Sequence, residues 1–231
     1  MPVDINEAKQ HFANKSAWHH LKGKIIEVGL YVASGRVELN KPAPRNMPVW
    51  TLDGDKVSLD DVFRKNQDEN KLTILNMGSF TCPVWRERQH KVQELAKLYP
   101  DHVSSICIYV REAHASDEWA LDMNDKLNIS YPKPKTIEER IVVASRAKEE
   151  LMDTDALVYV DSPEKNAVNK AYSAVPIRIC VIDANGELVF RSEGSGPFGY
   201  KPEDLATFLE KTIGPRDGIQ NIIHNVGVDC E

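Results

Sequence analysis

Cys82 stands where an apolar, β-prone run gives way to a helix-forming one, in Leu72-Thr73-Ile74-Leu75-Asn76-Met77-Gly78-Ser79-Phe80-Thr81-Cys82-Pro83-Val84-Trp85. Gly78 and small polar residues end the run. Pro83 suits the first turn of a helix, where its missing N–H loses no bond. The spacing therefore predicts strand, turn, thiol, helix. A sulfur at a helix N-terminus meets unpaired amides and the positive end of the helix dipole, and both favour thiolate over thiol. A thiolate attacks peroxides, disulfides and polarised halogens. A buried structural cysteine is the plain alternative. Position 85 is Trp, so Cys82-Pro83-Val84-Trp85 has no resolving cysteine and does not suit a self-contained dithiol oxidoreductase. That role falls to Cys107, Cys180, Cys230 or an external reductant.

A second apolar run, Val103 to Val110, follows a helical pattern over Pro83–Tyr99 in which Val84, Val92, Leu95, Ala96 and Leu98 form the apolar face and Arg86, Glu87, Arg88 and Lys91 the exposed one. A helix between two strands implies that they are parallel. A right-handed crossover puts their carboxyl ends on one edge, where open α/β sheets bind ligands. The second strand ends in Arg111-Glu112-Ala113-His114. Residues two apart share a side of an extended chain. His114 is thus expected within reach of Cys82, to hold a thiolate or supply a proton, with Glu112 orienting or charging the imidazole. A loop-capping His114 and a solvated Glu112 are the alternative. Ser79 and Thr81 either hydrogen-bond a thiolate or sulfenate or simply close the turn.

The elements around these residues run in a recognisable order. Val49–Leu52 and Lys56–Leu59 flank Asp53-Gly54-Asp55, a hairpin signal. A short helix begins over 60–64. The strand–helix–strand unit follows, then an irregular stretch over 115–136 and a helix over 137–152. A strand over 156–160, a short helix over 166–172, a second hairpin over 177–190 and a closing helix over 202–213 complete the order. This is α/β with a central mixed sheet flanked by helices. It is the thioredoxin-like order, with an N-terminal extension over 1–40, the domain over 41–213 enlarged by a mid-domain insertion, and a tail over 214–231. In that fold a proline at the position of Pro176 is commonly cis and faces the cysteine. Arg178 beside it either brings positive charge to the thiol or is an exposed strand residue.

The 231 residues are 42% hydrophobic and carry a net charge of −6, enough for a sizeable core and unfavourable for nucleic acid as main partner. The four cysteines show no CxxC or zinc spacing. Cys107 and Cys180 fall in strand-like runs and read as core. His19-His20 has no further ligand at suitable spacing and reads as surface, so no metal is expected. Neither a signal peptide nor a membrane span is evident, and a soluble, cytoplasmic protein is expected.

Several segments together resemble the iodothyronine deiodinase family. They are Asn76-Met77-Gly78-Ser79-Phe80-Thr81-Cys82-Pro83; Tyr109-Val110-Arg111-Glu112-Ala113-His114-Ala115-Ser116-Asp117-Glu118-Trp119-Ala120; Glu138-Glu139-Arg140; Ala171-Tyr172; and Gly196-Pro197-Phe198-Gly199-Tyr200. The resemblance implies a thioredoxin fold with an insertion. It also implies reductive removal of iodine from thyroid hormones with a thiol cosubstrate. It places Cys82 where the family has selenocysteine, matches Glu112 and His114 to its acid and histidine, Ser79 to its serine, and Arg178 to a strand arginine. The chain departs from the family at Pro134, where a second histidine is usual, and at Ser195, where a substrate-facing arginine is usual. No bound cofactor is implied; the reductant is an external thiol such as glutathione, thioredoxin or dithiothreitol. A homodimer is compatible with the resemblance. The competing enzyme reading is a peroxiredoxin-like thiol peroxidase using Cys82, Ser79 and Arg178, although Leu75 stands where that class has proline. A non-catalytic thioredoxin-like binding module is the third reading.

Overall fold

The computed structural model describes residues 37–192 and 199–224. Residues 1–36 of the N-terminal extension, with His19 and His20, and Ser195, the Gly196-Pro197-Phe198 segment and Cys230 lie outside the described residues. The elements are β1 (Pro48–Trp50), β2 (Lys56–Ser58), α1 (Leu59–Asp68), β3 (Leu72–Gly78), α2 (Pro83–Lys97), β4 (Val103–Tyr109), α3 (Asp122–Lys126), α4 (Ile137–Leu151), β5 (Leu157–Val160), α5 (Ala167–Tyr172), β6 (Arg178–Ile182), β7 (Leu188–Arg191), α6 (Pro202–Thr212) and α7 (Ile219–His224).

Seven strands form one mixed sheet in the order β2-β1-β5-β4-β3-β6-β7. β3 pairs in parallel with β4 from Leu72↔Val103 to Gly78↔Tyr109, and antiparallel with β6 from Thr73↔Ile182 to Met77↔Arg178. β4 pairs in parallel with β5, and β1 joins β5 antiparallel. Strands covered on both faces carry largely apolar runs, as β3 and β4 do. Alternate side chains of β3 enter two separate cores. Ile74 packs with Trp85, Val92 and Leu95 of α2, Val143 and Ala147 of α4, and Leu205 and Leu209 of α6. Leu75 and Met77 pack with Phe63 of α1 and Val168 and Tyr172 of α5 on the opposite face. Cys107 belongs to the first core and Cys180 to the second.

Caps fix the element ends. Ser58 accepts a bond from the Asp60 N–H at the start of α1. Thr136 and Glu139 form a reciprocal capping box on α4. Arg140 is fully buried and donates to the Asp161 carbonyl at 2.8 Å, tying α4 to the end of β5.

The helix that begins over 60–64 runs from Leu59 to Asp68. Two expectations change. The stretch over 115–136 contains a five-residue helix, α3. Within the expected tail, residues 219–224 form α7, because Ile219, Ile222 and Ile223 find apolar partners in the first core and Lys91 Nζ donates to the Ile223 carbonyl at 2.9 Å. No helix among the described residues is long and apolar enough to cross a membrane.

Gly78 ends β3 under the Trp85 indole, which a Cβ at this position would overlap. The indole Nε1 donates to Asn76 Oδ1 at 3.1 Å, and Tyr200 Oη donates to the same oxygen at 2.7 Å. Gly78→Ala is expected to cost about 3 kcal/mol by overpacking, read as a lower urea midpoint with altered tryptophan fluorescence. A midpoint equal to wild type would show that the ring has room to move.

Candidate active site

Cys82 is the N-cap of α2, with Pro83 at the first helical position, and the Arg86 N–H donates to the Cys82 carbonyl at 3.1 Å. β3 and β4 end side by side, and the Val110 N–H donates to the Gly78 carbonyl at 3.0 Å. The turn that carries the sulfur therefore faces the loop that carries Glu112 and His114.

The two segments are joined by a buried hydrogen-bond network. The Phe80 N–H donates to Tyr109 Oη at 2.9 Å, and Tyr109 Oη donates to Glu112 Oε1 at 2.6 Å. The His114 N–H donates to Thr81 Oγ1 at 3.1 Å, and Thr81 Oγ1 donates to Glu112 Oε2 at 2.7 Å. The Thr81 N–H donates to Glu112 Oε2 at 3.2 Å. Ser79 Oγ accepts from the Ala113 N–H at 3.0 Å. Ser79 and Thr81 thus close the turn and bind it to the next loop, the second of the two roles open to them.

Glu112 and His114 each bond other groups of the turn and loop. The chain bends after Tyr109, and the Glu112 carboxyl bonds Thr81 and Tyr109. The imidazole has Nδ1 3.2 Å from the Trp119 carbonyl, and its ring stands 4.6 Å, edge-on, from the Trp119 ring. The alignment expected from an extended chain is lost because residues 110–114 are not extended. Glu112 is buried rather than solvated. Burial raises its pKa, and the hydroxyl donors of Tyr109 and Thr81, the Thr81 amide and the charge of Arg140 only partly offset this.

Cys82 is 2% exposed and packs among Phe80, Trp85 and Ile177. Burial pushes its thiol up to about 11, against the opposing pull of the Trp85 and Val84 amides and the Arg86 charge. Burial thus opposes the thiolate that helix position favours. The helix N-terminus acts in the predicted direction, but loss of water outweighs it.

The Val175–Pro176 peptide is cis and leads into β6. Arg178 is buried, pairs with Met77 and shares its sheet face with Cys180, whose thiol feels its charge. Among the described residues Arg86 is a cation that acts on Cys82; it was read from sequence as exposed but is 6% exposed in the structure. Sequence reasoning also missed Tyr109 and Asn124. Arg86 carried one signal, its place one helical turn after Cys82. Asn124, in an irregular stretch, carried none.

These features define a thioredoxin-like α/β protein with one thiol at the N-cap of the helix after its central strand. The chain belongs to the iodothyronine deiodinase family, whose model matches residues 6–213. It is similar to the thyroxine 5-deiodinase of Gallus gallus, with 30% identity over 214 residues covering 91% of this chain and 75% of that one. It is similar also to the type I iodothyronine deiodinase of Xenopus laevis, with 30% identity over 166 residues covering 72% and 61%. The type II iodothyronine deiodinase of Mus musculus is 26% identical over 144 residues, covering 62% and 53%. The chain thus spans 53% to 75% of the length of these curated relatives. Among solved structures it is similar to a putative protein disulfide isomerase from Bacteroides thetaiotaomicron (TM-score 0.48, 15% identity, covering 83% of this chain and 99% of that one).

With its thiol at about 11, Cys82 is expected to react with iodoacetamide about tenfold faster for each pH unit between 7 and 9.5, without levelling off. The rate is read by mass spectrometry against Cys82→Ser. A plateau below pH 9 would mean that the sulfur already rests as thiolate.

Proposed function

We propose that the protein is a thiol-dependent reductive dehalogenase of iodinated aromatic compounds, thyroxine-like in kind, with Cys82 as nucleophile. The observation that carries this reading is the family match across residues 6–213 together with a lone thiol at the N-cap of α2.

The chemistry balances with two equivalents of an external thiol, written R′SH. The Cys82 thiol loses its proton and the sulfur attacks iodine. The carbon–iodine bond breaks, its electron pair stays on carbon, and carbon takes a proton. The product is an aryl–H compound and a Cys82 sulfenyl iodide. One R′SH then forms a mixed disulfide with Cys82 and releases iodide and a proton. A second R′SH restores the thiol and leaves as the disulfide R′S–SR′. Trp85 stands where a dithiol oxidoreductase would carry its second cysteine, and this favours an external reductant. In this reading His114 supplies the proton to carbon. Glu112, Ser79 and Thr81 hold the turn on which the sulfur sits, and Pro176 lies in the loop before β6.

The high resting pKa gives substrate arrival a specific task. It must coincide with removal of the Cys82 proton, because the thiol is a weak nucleophile. Peroxide reduction, the competing activity, would want Arg178 beside the sulfur; its placement on the Cys180 face speaks against that reading.

The test compares iodide release from thyroxine and from iodotyrosine with hydrogen peroxide consumption, each with dithiothreitol. Wild type is expected to release iodide and Cys82→Ala to release none. Peroxide consumption without iodide release would replace this reading with the peroxidase. His114→Ala is expected to slow iodide release at least tenfold, the usual scale for a positioned acid. An unchanged pH–rate profile in that variant would remove the imidazole from the mechanism.

A further inference from the structure

Arg86 enters α2 one turn after Cys82. Helical side chains lean toward the N-terminus, and this one folds back beneath the turn that carries the sulfur. Its Nη1 donates to the Phe80 carbonyl at 2.6 Å and its Nη2 to Asn124 Oδ1 at 3.0 Å. Asn124 Nδ2 donates in turn to the Thr81 carbonyl at 2.9 Å. Arg86 and Asn124 together grip the two carbonyls that precede Cys82.

The guanidinium is buried, its Nε has no hydrogen-bond partner, and no carboxylate among the described residues forms an ion pair with it. A buried cation with only neutral partners is costly unless an anion balances it. The ionisable groups that act on it are Cys82 at its own N-cap, Tyr109 of β4, Glu112 of the following loop and Glu150 of α4. Glu150 is paired with Arg146, and the Glu112 carboxyl, itself raised by burial, bonds the Tyr109 and Thr81 hydroxyls rather than the guanidinium. Cys82 lies on the same helix as the guanidinium, one turn before it. Around the thiol itself stand Arg86 from α2, Glu112 from the loop after β4 and Tyr200 from the segment before α6. His114, on the Glu112 loop, directs Nδ1 to the Trp119 carbonyl. Arg86 is a cation of this set that acts on the sulfur.

We propose that Arg86 is the built-in counter-cation of the Cys82 thiolate. The Phe80 carbonyl and Asn124 hold the guanidinium in place, and the ion pair forms when the sulfur gives up its proton. Arg86 is a positioning residue, acting through the charge state of Cys82. The inference rests on the reading of Cys82 as nucleophile. In a site from which water is excluded, a fixed positive charge stabilises a developing anion far more than it would in solvent.

The test is the pH dependence of Cys82 alkylation by iodoacetamide in the full chain, with Cys82→Ser as background. Folding is checked by circular dichroism and urea midpoint. Arg86→Gln keeps hydrogen-bonding capacity and removes the charge; Arg86→Met removes both. Each is expected to slow alkylation at pH 9 at least fivefold and to displace the profile to higher pH. Arg86→Lys, which keeps the charge, is expected to stay within twofold of wild type. Profiles of folded neutral variants that superimpose on wild type would overturn the proposal. Should neither neutral variant fold, Arg86→Lys decides: agreement within twofold supports the proposal, and a fivefold displacement overturns it. Alkylation needs no halogenated substrate. A wild type without iodide release would sink the dehalogenase reading and leave this profile standing, whereas superimposed profiles with iodide release intact would sink only the role of Arg86.

Discussion

The site depends on one carboxyl group. Glu112 receives two hydroxyls and an amide, and each hydroxyl has already accepted a backbone N–H from the opposite segment. The Phe80–Thr81 turn and the 109–114 loop are thereby fixed to each other without a direct bond between their backbones at this point. Each such bond contributes only about 1 kcal/mol net, but an orphaned buried partner costs more. A network of this kind specifies a single arrangement more than it adds stability. The parallel pairing of β3 and β4 brings the two segments to the same edge, and Glu112 sets their spacing.

Burial acts on the site in two opposed ways. It keeps the sulfur protonated and raises the carboxyl with it. It also makes every remaining charge count for more. A resting thiol is less exposed to oxidation than a resting thiolate. The same surroundings that make Cys82 quiet at rest would hold its anion firmly once formed, provided that a cation is already there.

Much of this was legible from sequence because it rests on local pattern. Continuous apolar runs gave β3 and β4, Pro83 gave the start of α2, and the glycine turns gave both hairpins. Cys82 was placed correctly at the helix N-terminus. The opposing effect of burial on its pKa was not legible, because desolvation is a property of the packed core and has no local signature. Glu112 and His114 were read as partners from two-residue spacing, which holds only while the chain stays extended. Arg86 was assigned to the outer face of its helix as charged residues usually are. Its inward turn follows from acceptors at Phe80 and Asn124, one of them far along the chain. Long-range polar partners of this kind cannot be read from periodicity.

Trp85 occupies the place of a second sulfur, and it does not occupy that place alone. Its ring needs the bare backbone of Gly78, and its nitrogen shares the Asn76 oxygen with Tyr200. The four positions form an interlocking unit within the core. Placing cysteine at 85 would leave a ring-sized void and strip one donor from a buried amide, without making a working dithiol. A second sulfur at this place would therefore call for compensating changes at Gly78, Asn76 and Tyr200 as well.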